Sequence, residues 1–413
     1  MELTMQNIDL RNIDKSNWES YRFDQIAMKI SETVDPNNTD LTIYVGLEHL
    51  DAESIHIKRF GTPADVSGGK LKCYPGDVIF GKRRAYQRKA SIVTFEGICS
   101  AHAFVLRANP EVIDPRLFPF FLHSDLFMHC AVDISVGGLS PTINWVQLKE
   151  QEFLLPPKDQ QAQLAELLWA MDEVIEKEMC LIKTLELSFE SYRKNFIENG
   201  AQIHKNNTRK LRFGKIFKNW QTKKLSSFST LIGGNAFKSD EFKEKGAYQV
   251  LRIGNLTDKG FDLKKSPVFM EEISKAEQKY LIPKGAVVIS LTGTNGKRDY
   301  GFPTLMKEHK MHLLNQRLAM ILVNEKVMLP EFLFLLAKME LFQGRFFLNA
   351  TGTANQANVS MTDVAKIELP IPPINEQKLI IDKMDFIRLN IVNSKSKNES
   401  SKALQKSLIN QIF

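Results

Sequence analysis

Cysteine is scarce in this chain of 413 residues: the four present, Cys73, Cys99, Cys130 and Cys180, lie far apart and form no CxxC pair. That spacing argues against a disulfide framework and against a thiolate zinc site. Long apolar runs are missing too. No stretch of about 18 apolar residues occurs, so no membrane-spanning helix is expected. The opening residues, MELTMQNIDLRNIDKSN, are polar and contain acids, unlike a signal peptide, and the expected location is the cytoplasm.

The sequence motifs of several chemistries are also absent. GTNGKR (293–298) has too few residues between its glycines, and no hydroxyl residue after the lysine, to cradle a nucleoside triphosphate. GGLSPT (137–142) is no nucleophile elbow, because Thr142 stands where the second glycine is required. No Asn or Asp followed by two prolines and an aromatic residue is found, which removes the adenine-methylating signature. The histidine pairs His123 with His129, and His309 with His312, have no convincing set of further ligands beside them, so no metal site is assigned and they read as packed or exposed structural histidines.

What is present is ordinary globular composition, 43% hydrophobic and 25% charged, with length for two or three domains. A formal charge of +7 favours a polyanionic partner without establishing one.

The strongest internal signal is a repeat. LPPKDQQAQLAELLWAMD (155–172) returns as LPIPPINEQKLIIDKMD (369–385), aligning Pro156 and Pro157 with Pro372 and Pro373, and Gln161 with Gln377. DPRLFPFFLHSDLF (114–127) matches LPEFLFLLAKMELF (329–342), and NWESYRFDQIA (17–27) matches NWQTKKLSSFS (219–229). A period of about 200 residues means duplicated domains rather than a solenoid. Each copy opens at a tryptophan, Trp18 or Trp220, and runs through short strand-like segments: TIYVGLEH, DVIFG, SIVTF and AFVLR in the first; YQVLRIGNL, AVVISLTG and RLAMILV in the second. RLFPFFLHSDLFMHCA (116–131) reads as one buried helix with Pro119 near its first turn.

Each copy closes on a long helix. In the first, Leu168, Ile175, Ile182, Phe189 and Phe196 recur every seven residues, interleaved with Leu164, Met171, Leu185 and Tyr192; only Glu178 breaks the second series. The second helix carries Ile380, Met384, Ile387 and Ile391 and regains its stripe at Leu404, Leu408 and Ile412. Between them NSKSKNESSK (393–402) is polar, and a looser or solvated seam is expected there. The expected organisation is an α+β chain: a mixed domain over 1–157, a helix over 158–199, a basic connector over 200–217, a second mixed domain over 218–373 and a helix over 374–413, with the two helices packed as a coiled coil.

This architecture resembles the specificity subunits of type I DNA restriction-modification systems. The resemblance spans nearly the whole chain and rests on the two proline sentences, on YVGLEHLD, on GDVIFGKRRAYQRKA with ICSAHAFVLRANP, on ISVGGLSPTINW and on ALQKSLINQIF. It implies that each mixed domain is a target recognition domain reading half of an interrupted sequence in double-stranded DNA, and that the helices are an antiparallel spacer. It further implies that modification (methyltransferase) subunits, two in number, and restriction (translocase-nuclease) subunits are partners. No cofactor is expected on this chain; S-adenosylmethionine, ATP and magnesium belong to the partners. The polar run in the second helix departs from the family pattern.

Positive charge falls at equivalent places. GKRRAYQRKAS (81–91) carries Lys82, Arg83, Arg84, Arg88 and Lys89 with no acid, interleaved with Tyr86 and Gln87, directly after a strand. Its counterpart LTGTNGKRDYG (291–301) offers Thr292, Thr294, Asn295, Lys297 and Arg298. Arg pairs with guanine edges, Asn and Gln with adenine, and Lys holds phosphates, so both loops are candidate DNA contacts, with Arg83, Arg84 and Arg88 expected to be exposed. KNNTRKLRFGKIFKNWQTKK (205–224) is basic and could hold DNA phosphates where the chain crosses between domains, but it reads first as a solvated connector whose aromatic residues Phe213, Phe217 and Trp220 tie its end to the second domain. Two other readings compete: a protein scaffold built on the helices, and a self-contained DNA-modifying enzyme.

Overall fold

The computed structural model describes residues 13–202, 207–308, 311–353 and 356–413. Residues 1–12, on which the leader argument rests, His309, and Lys205 and its neighbours in the connector lie outside them. The chain forms two compact units, Met1–Ile182 with Asn393–Phe413, and Lys183–Val392. Each contains one mixed domain and a stretch of both long helices, so the units divide the chain inside the helices rather than at their ends.

In the first unit, strands β1 (Ala27–Ile30), β2 (Val78–Phe80), β3 (Ala90–Ile92) and β4 (Phe104–Ala108) form an antiparallel sheet in the order β1-β4-β2-β3. A second small sheet includes one parallel pair, Tyr44–Val45 against Gly97–Cys99. Only those two residues of the expected TIYVGLEH strand are extended in a ladder. The second unit repeats the plan with β5 (Ser229–Gly233), β6 (Val287–Ser290), β7 (Thr304–Leu305) and β8 (Leu318–Val323) in the order β5-β8-β6-β7. It too has one parallel pair, Tyr248–Leu251 against His312–Leu314. The duplication read from the sequence is therefore a duplication of topology.

Aromatic packing fills both cores. The Phe23 ring lies 5.4 Å from Phe127, 5.9 Å from Trp145 and 6.0 Å from Phe153. In the second unit Trp220, Phe332, Phe342 and Phe346 are buried in one cluster. The expected single helix over 116–131 is two, Phe118–His123 and Asp125–Asp133, because Ser124 is extended and its hydroxyl caps the second by accepting from Phe127 N. The repeat breaks at the same place, into Pro330–Ala337 and Glu340–Leu348.

The repeated proline sentence has a structural reason. Strand Glu152–Leu155 pairs with Glu19–Arg22, Pro156 and Pro157 end it, and the first long helix, Lys158–Asn199, begins at once. Gln161, fully buried, holds this corner: its Oε1 accepts from Asp114 N at 2.6 Å, and its Nε2 donates to Val112 O and Pro156 O at 2.9 and 2.8 Å. In the second unit strand Glu368–Ile371 pairs with Gln221–Lys224, and the second long helix, Ile374–Ile412, follows Pro372 and Pro373. Gln377 accepts from Leu329 N and donates to Val327 O and Pro372 O, each at 2.8–2.9 Å. Both glutamines saturate the same three backbone groups, which apolar side chains could not do.

The helices pack side by side within each unit, running in opposite directions. In the first, Leu164, Leu168 and Ile175 are buried, the first two in a cluster with Leu408, Ile409 and Ile412; in the second, Phe196 and Ile197 pack with Ile380, Ile381 and Met384. Met171, Ile182, Phe189, Ile387 and Ile391 are half-buried. The expected polar interruption is not a gap. Asn398 is buried and Leu404, assigned to the stripe from sequence, is 63% exposed. Counting by alternate steps of four and three, the seam passes through Ile391, Ser394, Asn398, Ser401, Gln405, Leu408 and Ile412, so the heptad continues with polar members. Glu178, the apparent break in the first helix, is likewise a buried seam position. The basic connector also differs from expectation. Thr208–Leu211 and Gly214–Phe217 form an antiparallel hairpin whose Ile216 and Phe217, at the end of the second strand, are both buried in the second core.

Candidate nucleic-acid interface

In the first unit the basic loop leaves the end of β2 and is bound to a second loop. Arg83 bridges to Thr142 in an antiparallel pair, and Arg84 N donates to Pro141 O at 2.7 Å. The Nε groups of Arg83 and Arg84 both donate to Ser140 Oγ, at 3.2 and 2.9 Å. One turn of 3-10 helix, Ala85–Gln87, is anchored by buried Ala85 and flanked by Arg84 and Arg88, both with positive φ of 57° and 52°. Such left-handed backbone is unusual for arginine and fixes the direction of the side chains. Arg83, Arg84 and Tyr86 face solvent and Gln87 is half-buried.

Arg88 and Lys89 are placed otherwise. The Arg88 side chain is 17% exposed, lies 3.2 Å from Glu53 and 2.8 Å from Asp125, and donates to His123 O at 2.8 Å. Its charge is consumed inside the unit, which the spacing of basic residues in the sequence could not reveal. Lys89 Nζ donates to Leu47 O at 2.6 Å. Lys82 sits with its ammonium 5.1 Å from the centre of the Phe104 ring, with Lys29 5.9 Å from the same ring. Burial, and then the neighbouring Lys29 charge, hold Lys82 below the usual lysine range, so an anion placed there would be favoured.

These two lysines line a cleft of about 520 Å³ with Phe104, Val136, Thr142, Ile143, Asn144, Trp145 and Gln147. Lys29, Asn144, Trp145 and Gln147 were not singled out as site residues from sequence. The available signal was the GGLSPT loop (137–142) itself, whose glycines and proline mark a shaped turn. After it Asn144 caps the short helix Trp145–Lys149, accepting from Val146 N.

The second unit builds the same arrangement with less charge. Thr292 is buried and contributes backbone, pairing with Asn358 in the strand Gln356–Asn358. Thr294 donates from its hydroxyl to Asp299 Oδ2 at 2.6 Å, and its N–H to Oδ1 at 2.9 Å, which closes the loop and lowers the Asp299 pKa. Gly296 turns the chain at φ +73°, leaving Asn295 and Lys297 exposed. Arg298 is exposed but ion-paired with Glu340, and its guanidinium lies 5.1 Å from the Phe347 ring centre. A capped short helix again follows, Met361–Ala365, with Ser360 accepting from Asp363 N. Thus both units join a loop after a central strand to the segment before a short helix. Among the described residues, no three His, Cys, Asp or Glu side chains gather as a metal site.

By fold and site the molecule is a duplicated α+β protein that presents one polar, cationic loop pair per unit and joins its domains through heptad-bearing helices. Residues 217–400 match the family model described as the type I restriction modification DNA specificity domain. The chain is 29% identical over 169 residues to the type I restriction enzyme EcoDI specificity subunit of Escherichia coli, covering 40% of this chain and 37% of that protein. It is 27% identical over 262 residues to the MjaVIII specificity subunit of Methanocaldococcus jannaschii, covering 61% and 59%. The chain thus spans less than two thirds of the length of the curated relatives it matches. Two solved chains share the fold across its length. One, from a study of complex assembly and conformational transition of the type I restriction-modification system, has a TM-score of 0.61 at 17% identity, covering 96% of this chain and 97% of that one. The other, the type I system S subunit from M. genitalium, has a TM-score of 0.54 at 14% identity, covering 100% and 98%. The family match thus covers a little under half of the chain, residues 217–400, and the solved structures share its fold.

Proposed function

We propose that this chain is the DNA-recognition subunit of a type I restriction-modification system and carries no catalytic step itself. Each unit reads one short half-site in double-stranded DNA, the helices set the length of the unspecified spacer between them, and the bound chain directs methyltransferase and restriction subunits to that target. S-adenosylmethionine, ATP and magnesium act on those partners, in the cytoplasm. The observation that carries the reading is the repeated loop pair: Arg83, Arg84 and Tyr86 with the 136–142 segment in one unit, and the loop bearing Asn295 and Lys297 with the strand Gln356–Asn358 in the other. Cationic and amide side chains on loops held by rigid strands suit both phosphate positioning and base-edge readout. Partner docking is supported by Leu379, Phe386 and Leu389, exposed and spaced seven and three residues apart on the second long helix.

The test is reconstitution with the cognate modification subunits, followed by sequencing of modified bases in cells expressing the complex. The expected result is a two-part motif with a fixed gap, and no methyl transfer or cleavage by the purified chain alone. Turnover by the chain alone would favour a self-contained enzyme. Failure of the reconstituted complex to bind DNA would favour a protein scaffold.

A further inference from the structure

Within the first unit, the helix pair is joined by polar groups at positions where heptad packing ordinarily takes apolar ones. Asn398 is 6% exposed, and its Nδ2 donates to the carbonyl oxygen of Ile175 at 3.1 Å. Gln405, one heptad further along the second helix, donates from Nε2 to the carbonyl oxygen of Leu168, one heptad back along the first, at 3.2 Å. Each carbonyl has a second lone pair beyond its intrahelical bond, so both hydrogen bonds form without breaking the helix. The result is a two-rung ladder that senses axial position.

A ladder with heptad spacing is ambiguous by one heptad, because sliding either helix seven residues keeps one rung. Glu178 removes the ambiguity. It is 7% exposed; its Oε2 accepts from Asn398 Nδ2 at 3.4 Å, while Oε1 lies 3.4 Å from Lys397 Nζ and has no hydrogen-bond partner of its own. A slide of seven residues would set Glu178 against Ile391 or Gln405 in place of Asn398, and remove Lys397. Against Ile391 the buried carboxylate loses both amide and ammonium, and against Gln405 it keeps an amide but loses the ammonium; either shift is unfavourable, whereas an apolar residue there would tolerate both.

We infer that Glu178, Lys397, Asn398 and Gln405 form a register lock, which admits the first long helix opposite the second in a single axial alignment and rejects the alignments one heptad away. The two irregularities in the heptad pattern are therefore one device seen from its two sides. Its effect on half-site spacing rests on the proposed function; the lock itself does not.

The experiment uses the full chain with Cys130 and Cys180 changed to serine and spin labels at Gln163 and Glu399, both exposed. The parent should give one narrow distance. Glu178→Leu with Asn398→Leu and Gln405→Leu should stay helical, melt no lower, and add a second distance displaced by about 10 Å, one heptad at 1.5 Å per residue. A triple variant with only the parental distance overturns the lock. A charge exchange, Glu178→Lys with Lys397→Glu, decides the matter if the triple variant does not fold: it should restore the parental distance that Glu178→Lys alone broadens, and equal broadening in both overturns the lock. With partner subunits added, the triple variant should methylate at more than one spacer length. Two distances with an unaltered spacer would leave the lock standing and count against the spacer role of the helices.

Discussion

Two histidines in the first unit work in opposite directions with pH. His56 Nε2 lies 2.6 Å from Asp172 Oδ2, and that hydrogen bond, partly opposed by burial, raises the imidazole above its ordinary value. The stabilisation is fully present below the unfolded value of about 6.5 and is lost as pH rises through the higher folded value. His123 is the reverse. Burial holds it at about 4, neutral, with its ring Nε2 2.7 Å from Ala90 O, so its contribution is present above about 6.5 and is lost as pH falls towards 4. Melting curves between pH 5 and 8.5 should show His56→Gln costing more at the acid end, while His123→Gln flattens the loss of stability in acid. A pH-independent cost for His56→Gln would show that its link to Asp172 is not ionic.

Arginines in one loop also divide by role. Arg83→Ala with Arg84→Ala should weaken DNA binding by the reconstituted complex and leave melting near the parent, since exposed charges contribute little to folding. For every phosphate left without its arginine, the slope of log affinity against log salt should become shallower by about 0.9. Arg88→Ala should lower stability by about 1–3 kcal/mol, because Glu53, Asp125 and the His123 carbonyl lose their shared partner. Chemical denaturation separates these cases, and an unchanged midpoint for Arg88→Ala would show that its contacts with Glu53, Asp125 and the His123 carbonyl do not hold the fold. The sequence placed all three together because composition records charge, whereas side-chain direction follows from left-handed backbone at residues 84 and 88.

Among the elements, the proline corner is the clearest case of a pattern legible in the sequence and explained only by the fold. Prolines ending a strand before a helix are a local statement, and the repeat made Gln161 and Gln377 visible. That each glutamine satisfies three backbone groups, two of them from a segment about 50 residues earlier, is tertiary. Gln161→Leu and Gln377→Leu should each cost at least about 2 kcal/mol by leaving buried donors and acceptors unpaired. Denaturant unfolding of the two variants would show it, and a loss below about 0.5 kcal/mol would mean water replaces the amide.

At the scale of the whole molecule, the proposed reading makes helix length a determinant of the target. One heptad inserted into each helix, beside Glu178 and beside Ser394, lengthens both by about 10 Å and keeps the four-three seam in phase. Along a duplex rising roughly 3.4 Å per base pair, this corresponds to about three base pairs. Modified-base sequencing should show the same half-sites with a longer spacer. An active variant with the original spacer would show that the helices do not set the distance, and altered half-sites would show that the two domains do not read independently.

The sequence by itself determined the duplication, the class of fold, the start of each long helix and the two equivalent loops, because these follow from periodicity, proline placement and order along the chain. Tertiary structure alone decided which loop residues reach solvent, that Lys29, Trp145 and Gln147 line the same cleft as Lys82, and that residues 208–217 close as a hairpin. It also decided the meaning of the polar run at 393–402. Polarity in a single helix reads as solvent exposure, since nothing local distinguishes Asn398 facing water from Asn398 facing a neighbour. Only the packed pair, where Asn398 meets Ile175 and Glu178, shows that this polarity is buried and specific.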